Sequence, residues 1–120
     1  MRFLVPILAL MTLATSALAD GEYRHIVCFK FKPGTPPAEI ERIEKEFAAL
    51  PEKIDTITAF EWGTNVSPEN LDKGFTHAFL VTFKDKAGLE TYLPHPAHKA
   101  FVEGLKPHME DAFVFDYVAR

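Results

Sequence analysis

Two stretches of the chain read almost identically: His25-x-Val27-x-Phe29-x-Phe31 and His77-x-Phe79-x-Val81-x-Phe83. Alternation with a period of two is what a β-strand with one apolar face requires, because successive side chains leave opposite faces. Each stretch therefore predicts a strand, His25 to Lys32 and Phe75 to Lys84, whose bulky face must be covered. Between them lie two further segments. Ala38 to Leu50 carries Ile40, Ile43, Phe47 and Leu50 at helical spacing, with Thr35 as the expected cap and Pro51 as the expected stop. Asp55 to Gly63 carries Ile57, Phe60 and Trp62 and reads as a strand, and polar Thr64 to Gly74 reads as a connection. After Asp85, a helix-capping residue, come a helix from Lys86 to Leu93, a break at Pro94-His95-Pro96 and a second helical piece from Ala97 to Leu105. Asp111 to Val118 is the last strand.

The order is β-α-β-β-α-β, an α+β chain of the ferredoxin-like arrangement. It implies a four-stranded sheet in the order 4-1-3-2, with strands one and three adjacent and, on this reading, parallel. Helices cover one face. The other face would carry Ile26, Cys28, Ala78, Leu80 and one side of the last strand, with Lys30, Lys32, Lys84 and Asp116 toward the rims. That face is too apolar for water, so the expected partner is a second copy, sheet against sheet, in a dimeric α/β barrel.

A chain of 120 residues, 48% hydrophobic and 25% charged, allows one globular domain. Its single cysteine, Cys28, excludes an intrachain disulfide and a Cys-rich metal knot. A net charge of −4 without any Lys/Arg cluster argues against a nucleic-acid partner. The N-terminus is an address. Met1-Arg2 is basic, Phe3 to Leu13 is apolar, and Ala17-Leu18-Ala19 fits a cleavage site. The apolar run is about half the ~20 residues a spanning helix needs. The expected organisation is a signal peptide over residues 1–19, cut after Ala19, and one domain over residues 20–120 in the periplasm or outside the cell, with no membrane contact after cleavage.

If the two patterned strands are parallel and similarly registered, His25 and His77 lie close together beneath the helices. A lone histidine on an apolar face is usually a core residue with satisfied nitrogens; two at matching positions are the composition of a small-ligand pocket. A second cluster is Tyr92-Leu93-Pro94-His95-Pro96-Ala97-His98. Two prolines break the helix, and Tyr92 and His98 flank the break. The plainer alternative has His95 capping a helix and His98 on the surface.

The segments His25-x-Val27-x-Phe29-x-Phe31, Trp62-Gly63 with Asn65 and Val66, Gly74-Phe75-Thr76-His77, Tyr92 to His98 with Phe101, and Phe115-Asp116-Tyr117 together resemble the stress-responsive dimeric α/β-barrel (Dabb) family. The resemblance implies a ferredoxin-like protomer and a homodimer. In that family a plant cyclase closes a linear poly-β-keto thioester by an aldol step without cofactor. Its pocket histidines and its catalytic Tyr and His match His25, His77, Tyr92 and His98. The implied roles are catalytic for Tyr92 and His98, with His98 as general base and Tyr92 orienting it or donating to an enolate oxygen. His25 and His77 would bind substrate oxygens, and Phe29, Phe47, Phe79 and Val81 would form the walls. No cofactor and no metal are expected; the expected ligand is a small apolar or phenolic molecule, and the expected substrate a small carbonyl or phenolic compound. The competing readings are a non-catalytic ligand-binding or stress-protective homodimer, and a haem- or metal-binding barrel. The latter is disfavoured because no two histidines stand i,i+4 on one uninterrupted helix and Pro96 separates His95 from His98.

Overall fold

The structure, a computed structural model, describes residues 21–120. The expected signal peptide lies outside the described residues. Strand β1 runs Tyr23–Phe31, helix α1 Pro37–Ala48, the short helix α2 Leu50–Lys53, strand β2 Ile57–Thr64 and strand β3 His77–Phe83. Helix α3 runs Lys86–Tyr92 and α4 Pro96–Leu105; a 3-10 turn then leads into β4, Met109–Val118. The fold is ferredoxin-like, and the sheet order β2-β3-β1-β4 is the expected one.

The strand directions correct one expectation. β1 and β3 are antiparallel, not parallel. The crossover through α1 returns the chain so that β2 runs in the same direction as β1, and the loop from Asn65 to Thr76 then reverses it into β3. In the resulting register His25 faces Val81, and His77 faces Phe29. The two histidines share a face of the sheet but stand four residues apart along β1, about 14 Å at the usual rise per residue. Matching sequence positions on antiparallel strands lie at opposite ends.

Helix α1 has Pro36 as its N-cap and no side-chain cap, since the Thr35 hydroxyl donates instead to the Lys32 carbonyl. Pro51 does not end α1. It sits in the first turn of α2, where a missing N–H costs no hydrogen bond. Asp85 does cap α3, accepting from the Gly88 N–H. Ile43, Phe47 and Leu50 are buried against the sheet. Arg42, on the flank of α1, donates to Glu39, Glu46 and the Gly104 carbonyl and so ties α1 to α4. The core is aromatic. Phe47 stacks on Phe79 with ring centroids 4.3 Å apart, and Phe29 and Phe101 close around them at 5.3 Å from Phe79 and 4.7 Å from Phe47.

Strand β4 inverts the pattern of the others. Its bulky residues Phe113, Phe115 and Tyr117 lie on the helix-free face, exposed, while Ala112, Val114 and Asp116 pair with Phe29, Val27 and His25 on the helix side. The expected position of Asp116 at an outer rim is therefore corrected: it sits beside His25, half-buried.

Candidate functional site

Between the sheet and helices α3 and α4 lies a hollow of about 310 Å³. Val27, Phe29, Phe47, Leu89, Phe101 and Leu105 make most of its wall. Its polar groups are His25 from β1, Asp116 from β4, Tyr92 from α3 and His98 from α4. This is the composition of a small-molecule site, apolar overall with a few converging polar groups.

The helix break builds it. Tyr92 is the last residue of α3, and Pro94 and Pro96 prevent the helix from continuing. His95 caps α4, its Nδ1 accepting the Ala97 N–H at 3.0 Å, so its ring is spent on local structure. One turn later His98 returns to the break, its Nδ1–H donating to the Leu93 carbonyl at 2.9 Å. A carbonyl only accepts, so this bond places the proton on Nδ1 and leaves the Nε2 lone pair free when the ring is neutral. The Tyr92 and His98 rings are 4.4 Å apart.

Burial sets the protonation states. Burial pushes the His98 imidazole below its usual range; the Leu93 carbonyl opposes this, and His25 and His95 add to it. Burial pushes the Tyr92 phenol well above its usual value. At neutral pH the pair is therefore a neutral base beside a protonated phenol. The phenol is 1% exposed and has no hydrogen-bond partner among the described residues, while no fully buried polar side-chain atom there is left unsatisfied. Its hydroxyl therefore opens onto the hollow, the place for a ligand oxygen.

His25, with its ring 5.9 Å from Tyr92 and edge to face, belongs to the same site. Its Nδ1 lies 2.6 Å from Asp116 Oδ1. Of the other residues expected here, Phe29 and Phe47 form wall, whereas Phe79 and Val81 are wholly buried behind it and do not reach the hollow. His77 is not there. It lies at the far end of β3, where Nε2–H donates to Glu44 at 2.7 Å, the Thr76 hydroxyl meets Nδ1 at 2.7 Å, and Trp62 stacks on the ring. That is a core histidine with both nitrogens satisfied. The expectation that both strand histidines share one hollow is overturned by the antiparallel register. Asp116, Leu89, Phe101 and Leu105 were not anticipated as lining. For Asp116 the signal was present: the small–acidic alternation Ala112, Val114, Asp116 marks the side of β4 that faces a cavity. Among the described residues no three His, Cys, Asp or Glu side chains are grouped so as to hold a metal ion.

A ferredoxin-like sheet with one helical layer, and a hollow lined by His and Tyr between them, is the architecture of an α/β-barrel protomer. Residues 23–119 match the model of the stress responsive A/B barrel domain, and the chain belongs to that family. Two relatives are the stress-response A/B barrel domain-containing protein HS1 of Arabidopsis thaliana, 38% identical over 82% of this chain and 91% of that one, and olivetolic acid cyclase of Cannabis sativa, 31% identical over 81% and 96%. Among solved structures, the hydroxynitrile lyase of Passiflora edulis superposes with a TM-score of 0.78, at 26% identity over 84% of this chain and 95% of that one. A dimeric ferredoxin-like protein of unknown function from Bacteroides fragilis gives 0.67, at 29% identity over 82% and 96%.

Proposed function

We propose that the hollow is the active site of an enzyme that makes or breaks a carbon–carbon bond next to an oxygen-bearing carbon, by acid–base chemistry of its own side chains. The observation that carries this is the unpartnered Tyr92 hydroxyl, opening onto the hollow from a buried ring, beside a His98 ring locked with its lone pair on Nε2. His98 Nε2 takes a proton, either from the carbon alpha to a carbonyl or from a hydroxyl. In the first case the electron pair moves onto the carbonyl oxygen and the carbanion adds to a second carbonyl. In the second, the alkoxide collapses to a carbonyl and expels the carbon group. Tyr92 O–H donates to the oxygen that bears the charge. His98 then returns its proton to the new alkoxide or to the departing group, so no net proton is consumed. A cyclase and a hydroxynitrile lyase among the relatives support this class of step. The apolar wall suits a small substrate with an alkyl or aryl group.

The test is a turnover assay of the full chain on a panel of aryl and alkyl hydroxynitriles and linear β-keto thioesters, with binding followed in parallel. Carbonyl release or ring closure that depends on Tyr92 upholds the proposal. Saturable binding without turnover replaces it with the competing reading, a carrier of small phenolic or carbonyl ligands.

The assembly we propose is a homodimer through the helix-free face, supported by dimeric solved relatives and by the row Phe113, Phe115 and Tyr117, of which Phe115 is 54% exposed. Phe115→Glu would set a charge into that face and is expected to halve the mass read by light scattering, without unfolding the protomer. An unchanged mass would place the interface elsewhere. Export through residues 1–19, with cleavage after Ala19, is likewise a proposal; a chain found only in the cytoplasm with residues 1–19 still attached would refute it.

A further inference from the structure

Asp116 has two partners. Its Oδ1 takes the His25 Nδ1–H at 2.6 Å, and its Oδ2 takes the Tyr23 hydroxyl at 2.7 Å. Tyr23 lies on β1, two residues before His25 and on the same face of the sheet, yet it does not line the hollow. A carboxylate bridging an imidazole and a phenol leaves the imidazole one choice of tautomer. With Nδ1 donating, Nε2 is the free nitrogen, and it has no partner among the described residues. Since His25 lines the cavity and its ring stands edge to face against Tyr92, Nε2 is the atom available to a ligand.

Resting on the acid–base reading above, we infer that Tyr23 is a positioning residue: through Asp116 it fixes the ring and tautomer of His25, so that His25 offers Nε2 to the substrate opposite Tyr92 and His98. Two hydrogen bonds on one carboxylate hold it more rigidly than one and stop it from swinging toward solvent, to which Asp116 is partly open. The titratable groups facing this relay are Tyr92 from α3 and His98 from α4; Glu90 on α3 also bears on Tyr23. The relay's signature is already present in Tyr23. The bond to Asp116, with burial and the charges of Asp116 and Glu90 behind it, raises its phenol to about 12.

The experiment is NMR on the full chain with ¹⁵N-labelled histidine, comparing wild type, Tyr23→Phe and Asp116→Asn, with kcat and KM on whichever panel compound is turned over. In wild type the His25 ¹⁵N shifts should show a protonated Nδ1 and a bare Nε2, with a strongly downfield Nδ1 proton. Tyr23→Phe leaves the carboxylate wholly to His25, so that proton should move further downfield. Asp116→Asn offers only a neutral acceptor, so it should move upfield, and the Tyr23 phenol should titrate closer to its usual ~10. Opposite displacements cannot come from a merely structural loosening, which would move the resonance the same way in both variants or not at all. In turnover, Tyr23→Phe should lower kcat several-fold and leave KM near its wild-type value. A bare Nδ1 in wild type, or a His25 resonance indifferent to both substitutions, overturns the inference. Should Asp116→Asn fail to fold, the downfield displacement in Tyr23→Phe decides alone. If the NMR signature appears but no panel compound reacts, the relay stands and the enzymatic reading falls; if compounds react and the signature is absent, the reverse holds.

Discussion

His98→Ala is expected to lower kcat by about 10²- to 10⁴-fold while ligand affinity stays within a few-fold, the range that loss of a positioned general base produces. The expectation follows from geometry. His98 is half-buried, its Nδ1–H is tied to the Leu93 carbonyl, and its lone pair is presented 4.4 Å, ring to ring, from Tyr92. Removing the ring takes away the proton acceptor but little of the apolar wall that binds the substrate. Tyr92→Phe should keep the shape, lose the hydroxyl and cost about 10²- to 10³-fold, as when one donor to a developing oxyanion is deleted. The pH profile supplies an independent check. Because burial lowers the His98 pKa, its basic form is already populated below the usual histidine range. kcat/KM should therefore rise with pH through a value below ~6.5, and reach its plateau before neutrality. The raised Tyr92 phenol remains a donor beyond pH 10, so no falling limb from that residue is expected below that point. In His98→Ala the acid limb should vanish with the activity. An alanine variant that retains its kcat, or an acid limb that survives the substitution, would remove His98 from the chemistry.

The site was legible in the sequence where local geometry decides and illegible where topology does. Two prolines around His95 announce a broken helix wherever they occur, so the break could be read from spacing, while the meeting of Tyr92 and His98 across it was one of two readings, the other leaving His98 on the surface. The element order, hence the fold, follows from the periodicities in the same way. The pairing of His25 with His77 needed a strand direction, which no residue in either strand encodes. It is set by the loop from Asn65 to Thr76 turning β3 back along β2. Once β1 and β3 oppose one another, the repeated phrase puts one histidine in the hollow and gives the other to Glu44 and Thr76. Asp116 was misplaced for a related reason. The bulkiest face of β1 and β3 is the helix-covered one, but in β4 the bulkiest face is the open one, because there the apolar row faces away from the helices. Hydrophobic size identifies a buried face only when one face of the sheet is buried, and the exposed aromatics of β4 mark a second apolar layer.

Phe79→Ala is expected to destabilise the protomer by about 3–5 kcal/mol, the usual cost of cutting a large aromatic out of a closed core. Phe79 is wholly buried in the middle of the sheet, stacked on Phe47 at 4.3 Å and flanked by Phe29 at 5.3 Å. Its removal leaves a void that cannot collapse cheaply. Sheet backbone holds one side, and α1 is anchored to α4 by Arg42 on the other. The rings that could fall inward, Phe29 and Phe47, are also the wall of the hollow. Against a total stability of about 5–15 kcal/mol for a domain of this size, such a loss is a large fraction of the whole. The chain's single tryptophan reports on the same spot, for Trp62 stacks on Phe79 at 5.5 Å, so urea unfolding followed by its fluorescence reads the change where it is made. The midpoint should fall with the slope nearly unchanged, as for a native state that has lost contacts and kept its extent. Phe79→Leu refills most of the void and should recover more than half of the loss. A cost below about 1 kcal/mol for the alanine variant would mean that Phe29 and Phe47 do move in. In that case the wall of the hollow is soft, and its size is set by the ligand more than by the fold.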